Sequence, residues 1–308
     1  MVKNYLFYAA GSFNQGYGHL YRVFSIYKKY LSNKKSFFLY RNKVQKDFYK
    51  SKKLNAINIG EFKFREDFIL IVDTKDKDIR FLNTFIKNSS KSICIDTLND
   101  WVRKFDNLVI PNFYFKPEDL LSISFDTPIF YGRKYCIIRK QLPTFQHQNT
   151  YLITFGGSDP NNITRKILNI IYKEVKSNEI TVLLGKGMLN QEPILKKDFP
   201  KIKILKDLKS TFEIINNSKI IFSSLGTTIQ EIEAAQKKAV ICFNSLDDPK
   251  DFKKIITSSK NKDFWLNGGH YLNLNEIDIK TFIKDTKYKV NNIENHDWGE
   301  NWREILFK

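Results

Sequence analysis

Short apolar runs alternate with helix-like stretches along most of this chain, and this alternation most limits the folds it can adopt. Continuous apolar runs are typical of strands buried on both faces of a sheet. Strands that alternate with helices form parallel sheets, so the sequence predicts an α/β fold. The predicted strands are 5–10, 36–40, 56–59, 68–72, 92–96, 107–111, 151–155, 180–184, 202–205, 219–223 and 239–243.

The alternation occurs in two series, which indicates two domains. A polar stretch, 142–149, separates the series and is the candidate linker, and 308 residues are many for one hydrophobic core. We predict two Rossmann-like domains, 1–145 and 150–308. The last third of the chain is predicted to be helical with loops. Its tail, 297–303, carries two of the four tryptophans, so we expect it to dock on the N-terminal domain.

The first predicted strand leads into a glycine-rich turn that carries a histidine. Gly16, Gly18 and His19 precede or begin the first predicted helix, 23–31. In an open α/β sheet such a turn lies at the carboxyl ends of the strands, where ligands bind. No Gly-Lys-Ser/Thr follows as in a Walker loop, and Tyr21 replaces the third glycine of a dinucleotide fingerprint. His19 suits a general base or a donor to a phosphate or sugar hydroxyl; alternatively it caps the helix or packs in the core.

Two acidic residues close neighbouring strands of the first series. Asp73 and Asp96 should lie on the same sheet edge as His19. They can contact sugar hydroxyls, or they cap the helices that follow, the first of which is predicted over 78–87. The stretch Asp76-Lys77-Asp78 has the Asp-x-Asp form of some metal-dependent sugar transferases but opens a helix. We therefore predict no metal site and no cofactor.

The second series begins with a glycine turn of its own. The turn Gly156-Gly157-Ser158 joins a predicted strand to a predicted helix, 162–176. Backbone N–H groups in such a turn can hold a diphosphate. Alternatively, Asp159 caps the helix with Pro160 in its first turn, and both descriptions can hold together.

A third candidate site follows the strand 219–223. Small hydroxyl residues and a glycine precede a predicted helix, 227–236, and an acid lies one turn further on. Amides and hydroxyls there suit a phosphate, and the acid can accept hydrogen bonds from two ribose hydroxyls. The alternative is an ordinary helix cap with an acid in the first turn. With the other glycine turns, the site favours a nucleotide diphosphate held by the second domain, on Ser224, Leu225, Gly226, Thr227, Thr228 and Glu231.

The chain is strongly basic, which bears on its partners. Its net charge is +18, from 51 Lys and Arg against 33 Asp and Glu. Such a charge suits nucleic acid, an anionic membrane surface or anionic small substrates. The basic residues occur in scattered pairs rather than in long runs. We therefore expect no nucleic-acid partner and favour peripheral attraction to the anionic inner membrane.

Cysteine usage and hydropathy indicate the compartment. Cys94, Cys136 and Cys242 are far apart within apolar runs, which is typical of buried thiols in a reducing compartment. A predicted strand starts close to the first residue, so we expect no signal peptide. No apolar run approaches the ~20 residues that span a bilayer. We expect a cytoplasmic protein, at most peripheral to the inner membrane.

These motifs together resemble a known family over most of the chain. Residues 16–22 match the Gly-x-Gly-His-x-x-Arg motif of the PseG/SpsG nucleotide-sugar hydrolases, relatives of the MurG-type glycosyltransferases with the two-domain GT-B fold. Residues 132–139 resemble the family's Gly-x-x-Tyr-x-Leu-Leu-Arg segment, and 156–164 match its Gly-Gly-Ser-Asp-x-x-Asn-x-Thr turn. Residues 226–231 resemble the nucleotide site of the wider superfamily.

The resemblance implies two domains that face each other across a cleft, with UDP on the second. It implies hydrolysis of a UDP-sugar to UDP and free sugar, without a metal, with His19 as the base. In pseudaminic acid biosynthesis the substrate is UDP-2,4-diacetamido-2,4,6-trideoxy-β-L-altropyranose. The substrate-binding residues implied on the first domain are Gly16, Gly18, Arg22, Asp73, Asp96, Tyr135 and Arg139.

Two positions on the sugar side depart from the family. Asp73-Thr74-Lys75 stands where the family has Asp-His-Tyr, and Asn244-Ser245 stands where it has Asn-Gln. Two alternatives therefore stay open. One is a GT-B glycosyltransferase of surface-glycan synthesis, in which an acceptor hydroxyl replaces water. The other is a nucleotide-sugar-binding protein without turnover.

Overall fold

The protein folds into two units, each built on its own sheet. The computed structural model describes residues 4–12, 17–64, 66–74, 76, 78–96, 100–120, 126–138, 150–206, 208, 211–259, 261–285 and 298–307. Unit 1 comprises Met1–Ile137 and Asp297–Lys308, and unit 2 comprises Ile138–His296. Each unit has a seven-stranded sheet, so the predicted two-domain α/β fold is confirmed. The predicted linker lies outside the described residues.

Unit 1 contains a parallel sheet with the strand order β3-β2-β1-β4-β5-β6-β7. The six runs of the first series form β1 to β6, and β1, β4 and β6 are buried along their whole length. The seventh strand was not predicted, because it has three residues and only partial burial. The strands are β1 (Asn4–Ala9), β2 (Ser36–Tyr40), β3 (Ala56–Asn58), β4 (Phe68–Asp73), β5 (Lys91–Ile95), β6 (Asn107–Ile110) and β7 (Ile129–Tyr131).

In the part of unit 1 that the structure describes, three α-helices follow strands of the sheet. α1 (Gly18–Ile26) begins five residues before the predicted start and continues as a wider π-helical turn, Tyr27–Leu31. α2 (Lys43–Ser51) begins with a reciprocal capping box between Asn42 and Gln45.

The helix predicted over 78–87 is wrong in its first part. A 3-10 turn, Arg80–Leu82, precedes α3 (Asn83–Asn88). The Asp78 carboxylate accepts a hydrogen bond from the Arg80 amide at 3.0 Å, and such a local bond competes with a helix.

Unit 2 repeats the strand order of unit 1, as β10-β9-β8-β11-β12-β13-β14. Its strands pair in parallel except β13 with β14. The last two strands correct the prediction of a helical last third. β13 was not predicted because two glycines interrupt its apolar pattern. A Cβ on Gly268 would lie 2.8 Å from the Val240 side chain, and Gly269 has φ +88°. The strands are β8 (Tyr151–Ile153), β9 (Ile180–Leu184), β10 (Lys203–Lys206), β11 (Ile220–Ser224), β12 (Lys238–Phe243), β13 (Trp265–His270) and β14 (Asn273–Leu274).

The described residues of unit 2 form six α-helices. The first buries an apolar face that includes Ile163, Ile167 and Ile171 against the sheet. None of the helices within the described ranges is long and apolar enough to cross a membrane. The helices are α4 (Ile163–Ile171), α5 (Glu192–Asp198), α6 (Thr211–Asn216), α7 (Thr228–Ala235), α8 (Asp248–Ser258) and α9 (Glu276–Lys284).

The tail of the chain packs in unit 1, although the whole of unit 2 precedes it. Its helix, α10 (Trp302–Phe307), buries Trp302 completely, and the indole Nε1 donates to the Tyr135 carbonyl at 2.8 Å. The Lys91 ammonium donates to the Ile305 carbonyl at 2.7 Å. Gly299 has φ +66°, and a Cβ there would lie 2.8 Å from a backbone oxygen. The tail therefore completes the core of unit 1.

Candidate functional site

His19 and Asp73 lie at the carboxyl edge of the unit 1 sheet, where the strand order reverses. β1 pairs with β2 on one side and with β4 on the other, and ligands bind open α/β sheets at such switch points. Ala9 ends β1 and pairs with Asp73, which ends β4. Asp73 in turn pairs with Ile95 of β5, so Asp96, the next residue, lies at the same edge.

The imidazole of His19 contacts the carboxylate of Asp73. His19 is the second residue of α1, and its Nδ1 lies 2.6 Å from Asp73 Oδ1. The His19 side chain is 15% exposed, whereas that of Asp73 is 0% exposed. The ring therefore contacts a buried carboxylate and is itself partly exposed to solvent.

Arg22 lies one turn after His19 on the same face of α1 and joins two carboxylates. Its Nε donates to Asp73 Oδ2 at 2.6 Å and its Nη2 to Asp73 Oδ1 at 2.7 Å, which is a bidentate pair. Its Nη1 and Nη2 both lie 3.2 Å from Asp96 Oδ2. These four side chains, His19, Arg22, Asp73 and Asp96, form what we call the charged cluster.

The charges of the cluster support one another. Burial alone would raise the pKa of Asp73, but the Arg22 guanidinium and His19 outweigh it and hold this pKa below its ordinary value. Burial alone would lower the pKa of Arg22, but Asp73 and Asp96 outweigh it and hold this pKa above its ordinary value. Asp73 and Arg22 are therefore both charged at neutral pH.

An ionised Asp73 fixes the tautomer of His19. A carboxylate only accepts hydrogen bonds, so the hydrogen-bond network assigns the proton to His19 Nδ1. Arg22 Nη2 also lies 3.3 Å from Nδ1, but a guanidinium cannot accept, and the 2.6 Å contact with Asp73 decides the assignment. The lone pair of neutral His19 is then on Nε2, the nitrogen that can take a proton from another molecule.

The structure brings four predicted site residues together and gives each of them a partner within the protein. Both oxygens of Asp73 are engaged by His19 and Arg22, so Asp73 neither caps a helix nor faces a ligand directly. The Asp96 side chain, 18% exposed, binds Arg22. Within the described residues, no three His, Cys, Asp or Glu side chains come together as in a metal site.

The remaining substrate-binding residues predicted for the first domain have other positions. Gly18 is the first residue of α1. Tyr135 is 1% exposed, and its hydroxyl donates to the Glu304 carboxylate of α10, so its side chain holds the tail instead of facing a ligand. Gly16 and Arg139 lie outside the described residues.

The glycine turn of unit 2 lies at the corresponding place, after β8. Gly156 has φ +77°, which favours glycine. Asp159 accepts hydrogen bonds from the Ile163 amide at 2.9 Å and the Thr164 amide at 2.7 Å, so it caps α4 as predicted. Pro160 lies before the helix and not in its first turn, because the chain reaches α4 through Asn162 in a left-handed conformation, φ 52°.

The amides of this turn remain available to a ligand. Among the described residues, no acceptor contacts the amides of Gly157 or Ser158. The Gly157 carbonyl instead accepts a hydrogen bond from the Gly187 amide at 2.9 Å. The loop after β9 thus supports the turn through its carbonyl oxygen.

The second turn of unit 2 follows β11, the strand beside β8. Ser224 ends β11, Leu225 and Gly226 form the turn, and α7 begins at Thr228, with Thr227 as its N-cap. In the part of the chain that the structure describes, no acceptor contacts the amides of residues 226–228. Such unsatisfied N–H groups at a helix start bind anions.

Glu231 lies in the first turn of α7 and has a partner on another helix. Thr211 Oγ1 donates to Glu231 Oε2 at 2.6 Å, which orients the carboxylate. Glu231 is half-buried. Glu231 lies one turn after residues 226–228, and its contact with a ribose stays a prediction.

Sequence reasoning missed two residues that shape these turns. A Cβ on Gly185 would lie 2.2 Å from the Gly156 carbonyl oxygen, so only glycine fits behind the turn. A glycine directly after the apolar strand of residues 180–184 was the available signal. Thr211 carried no signal, because its contact with Glu231 depends on how α6 packs on α7.

A known protein sequence is similar to part of this chain. No family model matches the chain. An uncharacterised protein of Methanocaldococcus jannaschii, MJ1062, is 27% identical over 255 residues, which cover 72% of this chain and 51% of that protein. The chain thus spans about half the length of the curated relative it matches.

Solved structures share the architecture at low sequence identity. The glycotransferase of kitacinnamycin is 11% identical and has a TM-score of 0.59, with 91% of this chain and 89% of that chain covered. UGT89C1 of Arabidopsis thaliana, complexed with UDP-L-rhamnose, is 11% identical, with coverages of 93% and 91% and a TM-score of 0.59. This is the GT-B fold. The M. jannaschii UDP-GlcNAc 2-epimerase, in complex with UDP-GlcNAc and UDP, is 12% identical, covers 99% of both chains and has a TM-score of 0.53.

Proposed function

We propose that this protein acts on a UDP-sugar and hydrolyses it to UDP and free sugar, as the PseG/SpsG resemblance implies. The observation that carries the proposal is the contact of His19 Nδ1 with Asp73, which leaves Nε2 as a base at the switch point of unit 1. Two of the similar structures hold UDP-sugars, which supports this substrate class for the shared fold.

The nucleotide is assigned to unit 2. Two groups of open amides flank its switch point, one at Gly157 and Ser158 and the other at residues 226–228. Backbone N–H groups of this kind stabilise the charge of a diphosphate both in the bound substrate and as it leaves. Glu231, oriented by Thr211, accepts hydrogen bonds from the ribose hydroxyls.

The reaction is assigned to unit 1. His19 Nε2 takes a proton from water while the water oxygen bonds to the anomeric carbon and the bond from that carbon to the UDP oxygen breaks. Asp73 stabilises the imidazolium that results. The proton then passes to solvent. The specific substrate proposed is UDP-2,4-diacetamido-2,4,6-trideoxy-β-L-altropyranose, in a pathway of surface-glycan biosynthesis.

A second candidate is a GT-B glycosyltransferase, in which an acceptor hydroxyl takes the place of water. Lys75, where the family has tyrosine, and Asn244-Ser245, where it has Asn-Gln, favour this candidate because both changes fall on the sugar side. The same histidine would activate the acceptor. A third candidate, a protein that binds nucleotide-sugars without turnover, uses only the open amides of unit 2.

A time course with purified protein and UDP-sugars distinguishes the three candidates. The panel contains the proposed substrate and UDP-GlcNAc, and ³¹P NMR follows UDP while chromatography follows the sugar. UDP and free sugar in equal amounts without an acceptor support the hydrolase. UDP that forms only after an acceptor glycan or lipid is added supports the transferase. Binding of a UDP-sugar without turnover, with and without acceptor, overturns both enzymatic candidates.

We further propose that the face of unit 1 formed by α1 and α2 contacts anionic lipid on the cytoplasmic side of the inner membrane. The first sixty residues contain twelve Lys and Arg but a single acid, Asp47. Lys52 lies 5.5 to 5.9 Å from the ring centres of Tyr21, Phe24 and Phe48. Lysines beside aromatic rings suit a membrane–water interface. The exposed lysines of this face include Lys28, Lys43 and Lys50.

Vesicle sedimentation tests the membrane contact. We expect binding to phosphatidylglycerol vesicles and not to phosphatidylcholine vesicles, with at least tenfold weaker binding when Lys28, Lys43 and Lys50 are replaced by glutamate. A control variant with Lys173, Lys176 and Lys201 of unit 2 replaced by glutamate should bind more tightly than the first variant. Equal loss in both variants, or tighter binding to duplex DNA than to the vesicles, contradicts the proposal.

A further inference from the structure

The charged cluster contains two carboxylates but one guanidinium, so one negative charge is not balanced by Arg22. Asp73 and Asp96 are negative, Arg22 is positive, and His19 is the group whose charge can change. With neutral His19 the cluster carries one net negative charge, and with an imidazolium it is balanced. The Asp73 carboxylate, 2.6 Å from His19 Nδ1, is the group that can balance the charge of an imidazolium.

Asp96 occupies its place in an unusual backbone conformation. Its φ is +57°, in the left-handed region that few residues other than glycine adopt readily. The conformation follows directly after β5, and the Asp96 amide donates to the Val109 carbonyl at 2.9 Å, which fixes the end of the strand. The Asp96 carboxylate then lies within 3.2 Å of two nitrogens of Arg22.

We propose that Arg22 and Asp96 are positioning residues that set the charge around the His19–Asp73 pair. Asp96 compensates the guanidinium of Arg22, so the negative charge of Asp73 remains for the His19 imidazolium. Arg22 in turn binds both oxygens of Asp73 and fixes the orientation of this carboxylate beside His19. The inference rests on the proposed function of His19 as a base.

Other titratable groups close to the cluster do not upset this balance. The Tyr49 hydroxyl of α2 lies near Asp73, and the Cys136 thiol lies near Arg22 and Asp96. Burial raises the pKa of Tyr49 and of Cys136, so both are neutral in the range where histidine titrates. Arg133 is also near Cys136, and its guanidinium packs against the Phe113 ring at 5.6 Å.

The proposal predicts opposite effects for two substitutions. Asp96→Asn removes a negative charge and should lower the titration midpoint of the His19 ring by about half to one pH unit. Arg22→Gln removes a positive charge and should raise the midpoint by a similar amount. A purely structural role of the two residues would give no opposite signs. Arg22→Lys keeps the charge but loses the bidentate geometry, so we expect little change in the midpoint but slower turnover.

NMR titration of the histidine ring protons measures these midpoints without turnover. The chain has four histidines, and the His19 signal is the one absent in His19→Gln. Asp100→Asn, a change at an exposed carboxylate of unit 1, is the control and should leave the midpoint unchanged. If Arg22→Gln fails to fold, Asp96→Asn and Arg22→Lys still decide the question.

Outcomes for the inference and for the proposed function are separate. A fall of the midpoint in Asp96→Asn, together with an unchanged midpoint in Arg22→Lys, supports the inference even if no UDP-sugar is turned over. An unchanged midpoint in Asp96→Asn, or shifts of the same sign in Asp96→Asn and Arg22→Gln, overturns it even if hydrolysis is observed. In an active enzyme, the acid limb of the kcat/KM profile should move with the NMR midpoint.

Discussion

The two units share one strand order but place different chemistry at the same position in it. In unit 1, the edge between β1 and β4 carries ionised side chains, with His19 and Asp73 2.6 Å apart. In unit 2, the edge between β8 and β11 carries open backbone amides, with one carboxylate, Asp159, already engaged in capping α4. The topology thus fixes where a ligand can bind, whereas the first residues of each helix decide what it meets.

The difference begins at the helix starts. The N-cap of α1, Tyr17, makes no side-chain capping hydrogen bond within the described residues, and its helix instead presents His19 and Arg22. Asp159 caps α4, whereas no acceptor among the described residues contacts the amides of residues 226–228 at the start of α7. Side chains that exchange protons suit bond cleavage. Backbone amides suit a leaving group that is negatively charged both before and after the bond breaks.

Replacement of the base should have the largest effect. We expect His19→Gln to lower kcat about 10²- to 10⁴-fold, because it removes the proton acceptor. The Kd for UDP should stay within a factor of two if unit 2 alone holds the nucleotide. Turnover assays and calorimetry measure the two quantities. Full turnover by the variant would contradict the proposal that unit 1 supplies the base while unit 2 holds the nucleotide.

The buried carboxylate of unit 1 should make its stability depend on pH. Asp73→Asn should lower the free energy of unfolding by about 3 kcal/mol at pH 7, because Arg22 loses its closest partner. The pKa of Asp73 is held below its ordinary value in the folded state. The difference between wild type and variant should therefore be full above about pH 4 and shrink as the pH falls further.

Denaturant titrations at several pH values test this prediction. Asp100→Asn, at an exposed site of the same unit, is the control and should change the stability by less than about 0.5 kcal/mol. A difference that is the same at pH 3 and pH 7 would contradict the assigned charge of Asp73.

In unit 2, tight backbone packing should matter more than charge. Gly185→Ala places a methyl group 2.2 Å from the Gly156 carbonyl oxygen, so we expect a loss of about 1–3 kcal/mol in stability and weaker UDP binding. Gly226→Ala meets nothing within 4 Å and should change the stability by less than about 0.5 kcal/mol. Thermal unfolding of both variants measures this difference in stability. Similar losses of stability in the two variants would contradict the prediction.

The smallest effect is expected at the ribose site. Glu231→Gln should weaken UDP binding about three- to tenfold, because a charged acceptor becomes neutral. The wild type should prefer UDP over 2′-deoxy-UDP, and the variant should lose part of that preference. Glu213→Gln, at an exposed site on α6, is the control for calorimetry. If Glu231→Gln kept the full preference for UDP over 2′-deoxy-UDP, the proposed contact between Glu231 and the ribose would be contradicted.

The edges of both sheets could be predicted from the sequence, because their central strands are continuous apolar runs. Once such strands are parallel, their carboxyl ends meet at one edge, so His19 and Asp73 were expected there together. The cap at Asp159 could also be predicted, since it depends on residues four and five positions away.

The partners within the charged cluster could not be predicted in the same way. Arg22 meets residues 51 and 74 positions further along the chain, and these contacts depend on strand register and on the left-handed turn at Asp96. β13 was missed because Gly268 and Gly269 fit against neighbouring atoms instead of showing an apolar pattern. Both failures concern contacts that only the assembled sheet defines.

The docking of α10 has a consequence for the order of folding during synthesis. Trp302 fills the core of unit 1 only after all of unit 2 has been made, and the contact it forms with Tyr135 spans 167 residues. Contacts between such distant segments form late, because a long loop must close first. Every segment of unit 2 is by then available to pack. The first strand of unit 1 leaves the ribosome before that of unit 2. The core of unit 1 is nevertheless completed after that of unit 2.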